Sequence, residues 1–274
     1  MKISIMSNWF HLGFEGGIRR AKELGVTGSQ IHGCDLGFDL ESTPVQSAVD
    51  GIKAFMKAEG MEFSAFCVEV GGFASDDAQV VAANVKKSKA LIKLAAQAEV
   101  SVVTGHIGKV PEDKTDPKYI QIKAALEEIG ICCAEYGVMY GIETGPEKAY
   151  VLRALLEDLD HPNIGVNFDP ANLVMCSDDD PVEAVRILGP YIKHCHAKDG
   201  ICLTRPVHKA WPNVPEGAPW IEVPLGQGEV DFPRWIQALR EVGFDGFLTI
   251  ERECGEDPTA DIKAAVAFLH AKMA

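Results

Sequence analysis

VMYGIE (138–143), NIGVNFD (163–169) and YIKHCHAKD (191–199) are three runs of one kind. Each is apolar on both faces at its centre, as a strand covered on both sides must be, and each closes on polar residues. Helical patterns separate them, one near 147–158 and one over DPVEAVRIL (180–188), where Asp180 is placed to cap the first turn. Buried strand, helix and buried strand in succession make the βαβ unit of a parallel sheet.

The same rhythm extends outward to both ends of the 274 residues. Upstream, ISIM (3–6) precedes the helical FEGGIRRAKELG with Gly25 as its stop. TGSQIH (27–32) is followed by a helix from about Pro44 to Gly60. EFSAFCVEV (62–70) is followed by an amphipathic helix from Asp77 to Gln97. VSVVTGHI (100–107) precedes a helix over 116–136 that Gly137 closes. Downstream, a long irregular stretch (199–230) leads into the helix DFPRWIQALREVG (231–243), with Pro233 in its first turn. The strand GFLTIERE (246–253) and a last helix in DPTADIKAAVAFLHAKM complete the series. Eight strand–helix units with no linker between them predict an α/β protein. The expected fold is a (β/α)8 TIM barrel, one domain over 1–274. An open doubly wound sheet is disfavoured, because FEGG (14–17) after the first strand lacks the GxGxxG spacing.

Composition narrows the function. Apolar residues make up 47% and charged residues 24%, ordinary for a globular chain and far from a disordered one. Acids outnumber bases by 40 to 26, and a net charge of −14 repels phosphate backbones, so nucleic acid is not an expected partner. No apolar segment approaches the length of a membrane span, and the N-terminal MKISIMSNWFHLGFEGG has no signal-peptide core. The eight cysteines show no CxxC spacing, and several sit in apolar runs, such as Cys67 in FSAFCVEV and Cys132 in GICCAEYG. They read as small buried hydrophobes in a reducing, cytoplasmic setting.

The chemistry is carried by the last polar residues of the late strands. The fifth ends in Glu143, the sixth in Asp169, the seventh carries His196 and the eighth ends in Glu251. In a barrel each stands at the carboxyl end of its own strand, where active sites are built. Taken singly, a carboxylate after a strand is an ordinary helix cap, and a strand histidine an ordinary core residue. Three carboxylates and an imidazole converging on one mouth are different, since bare buried charges cost several kcal/mol each. A single divalent cation resolves this. Oxygen-rich ligation with one nitrogen suits Mn²⁺, Mg²⁺ or Co²⁺ better than a thiolate-seeking structural zinc.

At these residues the sequence resembles the xylose-isomerase-like TIM barrels, a family of sugar and sugar-phosphate isomerases and epimerases, keto-inositol dehydratases and the endonuclease IV group. The resemblance rests on IETG (142–145), NFDPANL (167–173), HCHAKDG (194–200), PLGQGEVDF (224–232) and LTIERE (248–253). It implies one metal held by Glu143, Asp169, His196 and Glu251. It also implies that Glu143 and Glu251 are catalytic, exchanging a proton at the α-carbon of a keto sugar or sugar phosphate through an enediolate. Return of the proton to the same carbon gives epimerisation, and return to its neighbour gives isomerisation. Loss of a β-hydroxyl gives dehydration of a keto-inositol or 3-keto-glycoside. The implied partner is a small carbohydrate, with a second copy of the chain as an option. Ketose epimerases and endonuclease IV often show DxxH after the sixth strand. Here the fourth residue is Asn172, which, with the charge of −14, argues against DNA repair.

Other residues are weaker candidates. His106, at the end of the fourth strand, is placed to bind a substrate oxygen. Lys198 is placed to bind a substrate oxygen or to pair with Asp199 or Glu251. Glu147 reads as a first-turn helix cap. Arg205, on the long loop with Trp211 and Trp220, reads as surface charge that could meet an anion. GQG (226–228) could offer backbone N–H groups to an anion.

Overall fold

The computed structural model describes residues 1–37, 46–212 and 214–274. The first half comprises β1 (Lys2–Met6), α1 (Gly13–Glu23), β2 (Gly28–His32), α2 (Gln46–Glu59), β3 (Glu62–Val68), α3 (Ala78–Gln97), β4 (Val102–Gly105) and α4 (Pro117–Tyr136). Then come β5 (Met139–Glu143), α5 (Ala149–Leu159), β6 (Ile164–Phe168), a short α6 (Pro170–Asn172) with a π-turn behind it, α7 (Pro181–Leu188) and β7 (Ile192–Ala197). The chain ends with β8 (Asp199–Cys202), β9 (Trp220–Val223), α8 (Phe232–Glu241), β10 (Phe247–Ile250) and α9 (Pro258–Met273). Among the described residues, eight strands close into a barrel in the order β1-β10-β7-β6-β5-β4-β3-β2, every pair parallel. The protein is a single TIM barrel domain. The expected start of the second helix at Pro44 lies outside the described residues.

Local chemistry sets the helix ends. Asp77, Asp116, Asp180, Asp231 and Asp257 each accept a hydrogen bond from a first-turn backbone N–H, relieving one of the donors a helix start leaves orphaned. A proline lies in the first turn of α4, α7, α8 and α9, where its missing N–H costs nothing. Gly137 ends α4 in the left-handed region at φ 69°, which a Cβ would strain. The helices pack on the outside of the barrel. Trp235 of α8, fully buried, lies against Phe168 and Phe232 with ring centroids 6.4 and 5.6 Å away. The described cysteines are free thiols. Most are buried, while Cys176 and Cys254 are exposed.

The stretch after β7 is more regular than its sequence suggests. β8 and β9 pair antiparallel as a two-stranded ribbon at the carboxyl end of the barrel. Asp199 anchors it. Its Oδ1 accepts from the backbone N–H of Gly200 at 2.9 Å and Val230 at 3.2 Å. Its Oδ2 accepts from Gly226 at 2.9 Å and Gly228 at 2.8 Å. Burial pushes the Asp199 carboxyl up to about 6, against the pull of those donors. The approach is so close that a Cβ on Gly228 would lie 2.1 Å from Asp199 Oδ1. The GQG amides are therefore not open to a substrate anion: Asp199 holds the two glycine N–H groups, and Gln227 N donates to Pro224 O at 3.0 Å. Spacing alone showed the donors but not the acceptor, which lies 27 residues earlier.

Asp199→Ala leaves these amides without their acceptor. We expect a loss of about 2–4 kcal/mol, less than four full desolvation penalties because part of the loop reaches water. Urea unfolding measures it, and an unchanged midpoint would show that the clamp contributes nothing.

Candidate metal centre

Strand periodicity builds the centre. On β5, β6, β7 and β10 every second side chain points into the barrel. The inward rows are Gly141 and Glu143, Asn167 and Asp169, His194 and His196, Thr249 and Glu251. One donor atom from each of Glu143, Asp169, His196 and Glu251 lies within 4.8 Å of the others, and all four residues are buried. His196 Nδ1 is 3.1 Å from Glu251 Oε2, 3.4 Å from Glu143 Oε1 and 3.9 Å from Asp169 Oδ2. Ligand atoms at about 2.1 Å from a shared ion are themselves separated by roughly 3.0–3.4 Å along a coordination edge. His196 Nδ1 and Asp169 Oδ2 are buried and make no hydrogen bond. Two orphaned lone-pair atoms, facing one point with two further carboxylates at this spacing, fit a divalent cation.

The remaining lone pairs and protons hold the candidate ligands in place. Asp169 Oδ1 caps α6, accepting from Ala171 N at 2.7 Å and Asn172 N at 3.1 Å, which leaves Oδ2 free. Helix cap and candidate ligand are thus two oxygens of one carboxylate. His196 Nε2 donates to Gln30 Oε1 at 3.0 Å, so Nδ1 keeps its lone pair in the neutral ring. Gln30 Nε2 in turn donates to Thr104 Oγ1 at 2.8 Å. Glu143 accepts from Asn167 Nδ2 at 3.3 Å and Asn172 Nδ2 at 3.1 Å. Beneath lies a chain of buried polar groups whose proton order is forced. Asn167 Oδ1 can only accept, so His194 Nδ1 donates to it at 3.0 Å. His194 Nε2 then accepts from Thr249 Oγ1 at 2.9 Å, and Thr249 meets Ser4 Oγ across β1. Burial, with His196 nearby, holds His194 well below its ordinary value and keeps it neutral, as this order requires.

The charges respond to the crowding. Burial opposes ionisation of His196, but Glu251 and Glu143 outweigh it and drive the imidazole well above its ordinary value. Burial pushes Asp169 up to about 7. Burial also disfavours the Glu251 carboxylate, yet His196 and Lys198 hold it well below the usual range. The site calls for positive charge.

Lys198 is buried and pairs with Glu251 Oε2 at 3.0 Å, with Glu253, and with Glu222 Oε2 at 3.8 Å. The ion-pair reading of Lys198 therefore describes its contacts. Its Nζ still borders the mouth through Glu251. His106 is half-exposed, with Nε2 3.6 Å from Glu143 Oε1 and Nδ1 3.8 Å from Glu69 Oε1. Glu143 and Glu69 push it up to about 9 despite burial, which opposes the shift. Arg205 does not face the mouth as a free cation. It ties the loop to the segment behind α6, pairing with Asp178 Oδ1 at 2.5 Å and Glu229 Oε2 at 3.2 Å. Trp220 stands exposed on β9.

Glu147 is not a helix cap. Asp179 Oδ2 accepts from Ala149 N at 2.8 Å and takes that place. Glu147 is buried, accepts from Val110 N at 3.4 Å, and is pushed up to about 7 by burial. The residues missed by sequence reasoning are Gln30, Asn167, His194 and Thr249. Three of them stand two positions before a ligand on the same strand, so strict period-two reading would have found them.

The protein matches the xylose isomerase-like TIM barrel model over residues 18–272. The chain belongs to that family. It is 28% identical to the inosose dehydratase of Lacticaseibacillus casei over 151 residues, 53% of this chain and 49% of the relative. The chain spans about half the length of the curated relatives it matches. A xylose isomerase domain protein from Planctomyces limnophilus superposes with a TM-score of 0.80 at 26% identity, covering 99% of this chain and 96% of the other. The fold is also that of D-psicose 3-epimerase from Clostridium cellulolyticum, with a TM-score of 0.75 at 17% identity over 100% and 99% of the two chains. Among the described residues no helix is long and apolar enough to cross a membrane.

Lys198→Met removes the cation that compensates Glu251 and Glu222. Breaking a buried ion pair from one side costs about 3–5 kcal/mol. We expect that loss in urea unfolding of chelator-treated protein, and a smaller one with saturating Mn²⁺, which takes over the neutralisation of Glu251. Equal losses in the two conditions would separate Lys198 from the centre.

Proposed function

We propose that the protein is a divalent-metal-dependent isomerase or epimerase acting on a keto sugar or sugar phosphate. The observation that carries this is His196 Nδ1, buried, without a hydrogen bond, and 3.1–3.9 Å from three carboxylates. Glu143, Asp169, His196 and Glu251 would hold the ion, Mn²⁺ by the oxygen-rich donor set, with Co²⁺, Mg²⁺ and Zn²⁺ as alternatives. When bound, it supplies Lewis acidity toward the carbonyl and neighbouring hydroxyl oxygens of a sugar.

The chain's own residues then divide the proton work. Lys198 keeps Glu251 ionised, the form that accepts the α-carbon proton. Glu143 approaches from β5, three strands away around the ring, and returns a proton to the opposite face. Asn167 and Asn172 hold its two oxygens in position. His106, beside Glu143 and half-exposed, donates to a substrate oxygen, and Lys198 borders the same space. The pocket wall comes from the ribbon of β8 and β9. The substrate on this reading is a small carbohydrate, and the reducing setting that the free cysteines suggest is the cytoplasm.

A second reading keeps the same centre and the same first step. The 28% identity to an inosose dehydratase over 151 residues supports dehydration of a keto-inositol. Loss of a β-hydroxyl after α-proton removal would then replace reprotonation. The two readings separate by NMR in D₂O. Deuterium entering the substrate with no loss of water indicates epimerisation, and a dehydrated product indicates the lyase.

Asp169→Ala should abolish tight Mn²⁺ binding, measured by elemental analysis after desalting; unaltered metal content would place the ion elsewhere. With the ion loaded, Glu143→Gln and Glu251→Gln should each lower kcat by about 10²–10⁴ on keto sugars, keto sugar phosphates or inosose. One of the two should also stop deuterium entering the substrate. Near-normal turnover by both would transfer the proton work to His106 and Lys198.

A further inference from the structure

Across the barrel from Asp169, three other ligand-type side chains meet. His32 ends β2 and Cys67 lies on β3, and the two are register partners in the parallel pair. Glu69 stands two residues beyond Cys67, on the same face. One imidazole nitrogen, the Cys67 sulfur and a Glu69 carboxylate oxygen lie within 4.8 Å of one another. Cys67 Sγ is 3.3 Å from Glu69 Oε1. His32 Nε2 is buried and has no hydrogen-bond partner among the described residues. None of these groups belongs to the centre at His196.

We propose that His32, Cys67 and Glu69 form a second cation site, selective for Zn²⁺ or Co²⁺ over Mn²⁺ and Mg²⁺. The donor chemistry sets the preference. A thiolate is a soft ligand, an imidazole suits zinc and cobalt, and one carboxylate completes a three-residue set that leaves a position open. The first centre, with three carboxylates and one nitrogen, prefers harder ions. Charge also balances, since thiolate and carboxylate together offset a divalent ion while neutral His32 adds a lone pair. Burial and the neighbouring Glu69 and Glu143 keep the Cys67 thiol protonated when no ion is bound. Binding breaks the S–H bond, releases that proton to solvent and forms the sulfur–metal bond. His106 lies between the two centres, 3.8 Å from Glu69 and 3.6 Å from Glu143.

The test uses Co²⁺ and Zn²⁺ alone on the full chain, with no sugar present. Co²⁺ bound through a thiolate gives an intense near-ultraviolet sulfur-to-metal charge-transfer band, which oxygen and nitrogen ligands do not give. We expect that band in the unaltered protein and in a C176S/C254S variant that lacks the thiols exposed among the described residues. It should disappear in Cys67→Ser and weaken at least tenfold in apparent affinity in Glu69→Gln, whose partly exposed site tolerates the change. Zn²⁺ stoichiometry should fall from two per chain to one in Cys67→Ser. Asp169→Ala separates the two centres, because it should remove the other ion and leave the band intact. If Cys67→Ser does not fold, His32→Ala is read instead, with the same loss expected. Absence of the band from the unaltered protein, or its persistence in a folded Cys67 or His32 variant, overturns the proposal.

Discussion

Three carboxylates cannot be buried together without positive charge to match them, and much of this barrel's mouth is arranged around that constraint. Glu143, Asp169 and Glu251 surround one imidazole, and Lys198 contributes a single buried cation. That ammonium also pairs with Glu222 and Glu253, so the cluster stays net negative, a balance that a divalent ion would redress. Burial raises the Asp169 carboxyl to about 7, and Glu251 and Glu143 drive the His196 imidazole upward. The polar layer beneath has the complementary task. Gln30, Asn167, His194 and Thr249 are fully buried and would each weaken an apolar core, yet every one takes part in a hydrogen bond that orients a ligand or its support.

The barrel was legible because both of its signals are periodic and local. Apolar strands such as YGI before Glu143 and VNF before Asp169 must be covered on both faces, and Asp caps with first-turn prolines mark the helices between them. Chain order then brings the ends of β5, β6, β7 and β10 to one mouth, so the four candidate ligands could be named before any distance was known. What could not be read are partnerships set by the third dimension. Asp199 and the GQG amides, or Gln30 and His196, are brought together only when the ring closes. GQG offers free N–H groups to a reader of spacing, and Asp199 reads as a simple acid. Their union is visible only in space.

Glu147 and Lys198 show the limit from the other side. Each has an ordinary local explanation, a helix cap and an ion pair. For Lys198 the local explanation describes its contacts, with Glu251 tying the pair to the centre. For Glu147 it fails, because Asp179, thirty residues further along the chain, reaches the helix start first. A titratable residue displaced from its expected structural task and left buried is the kind of group that sequence patterns systematically underrate.

The ribbon of β8 and β9 is fastened at its base. Asp199 holds the return strand's glycines, and Glu222 is gripped by Arg252, which also bonds Asp261 of α9. Its distal turns, between Cys202 and Trp220, are held at a few points, by Arg205 to Asp178 and Glu229 and by the backbone N–H of Lys209 to Glu229. A connection joined to the barrel by so few contacts tolerates changes of length and sequence better than the strand ends do. The fold thus places the four candidate ligands on strand ends and the adaptable surface on a separate connection.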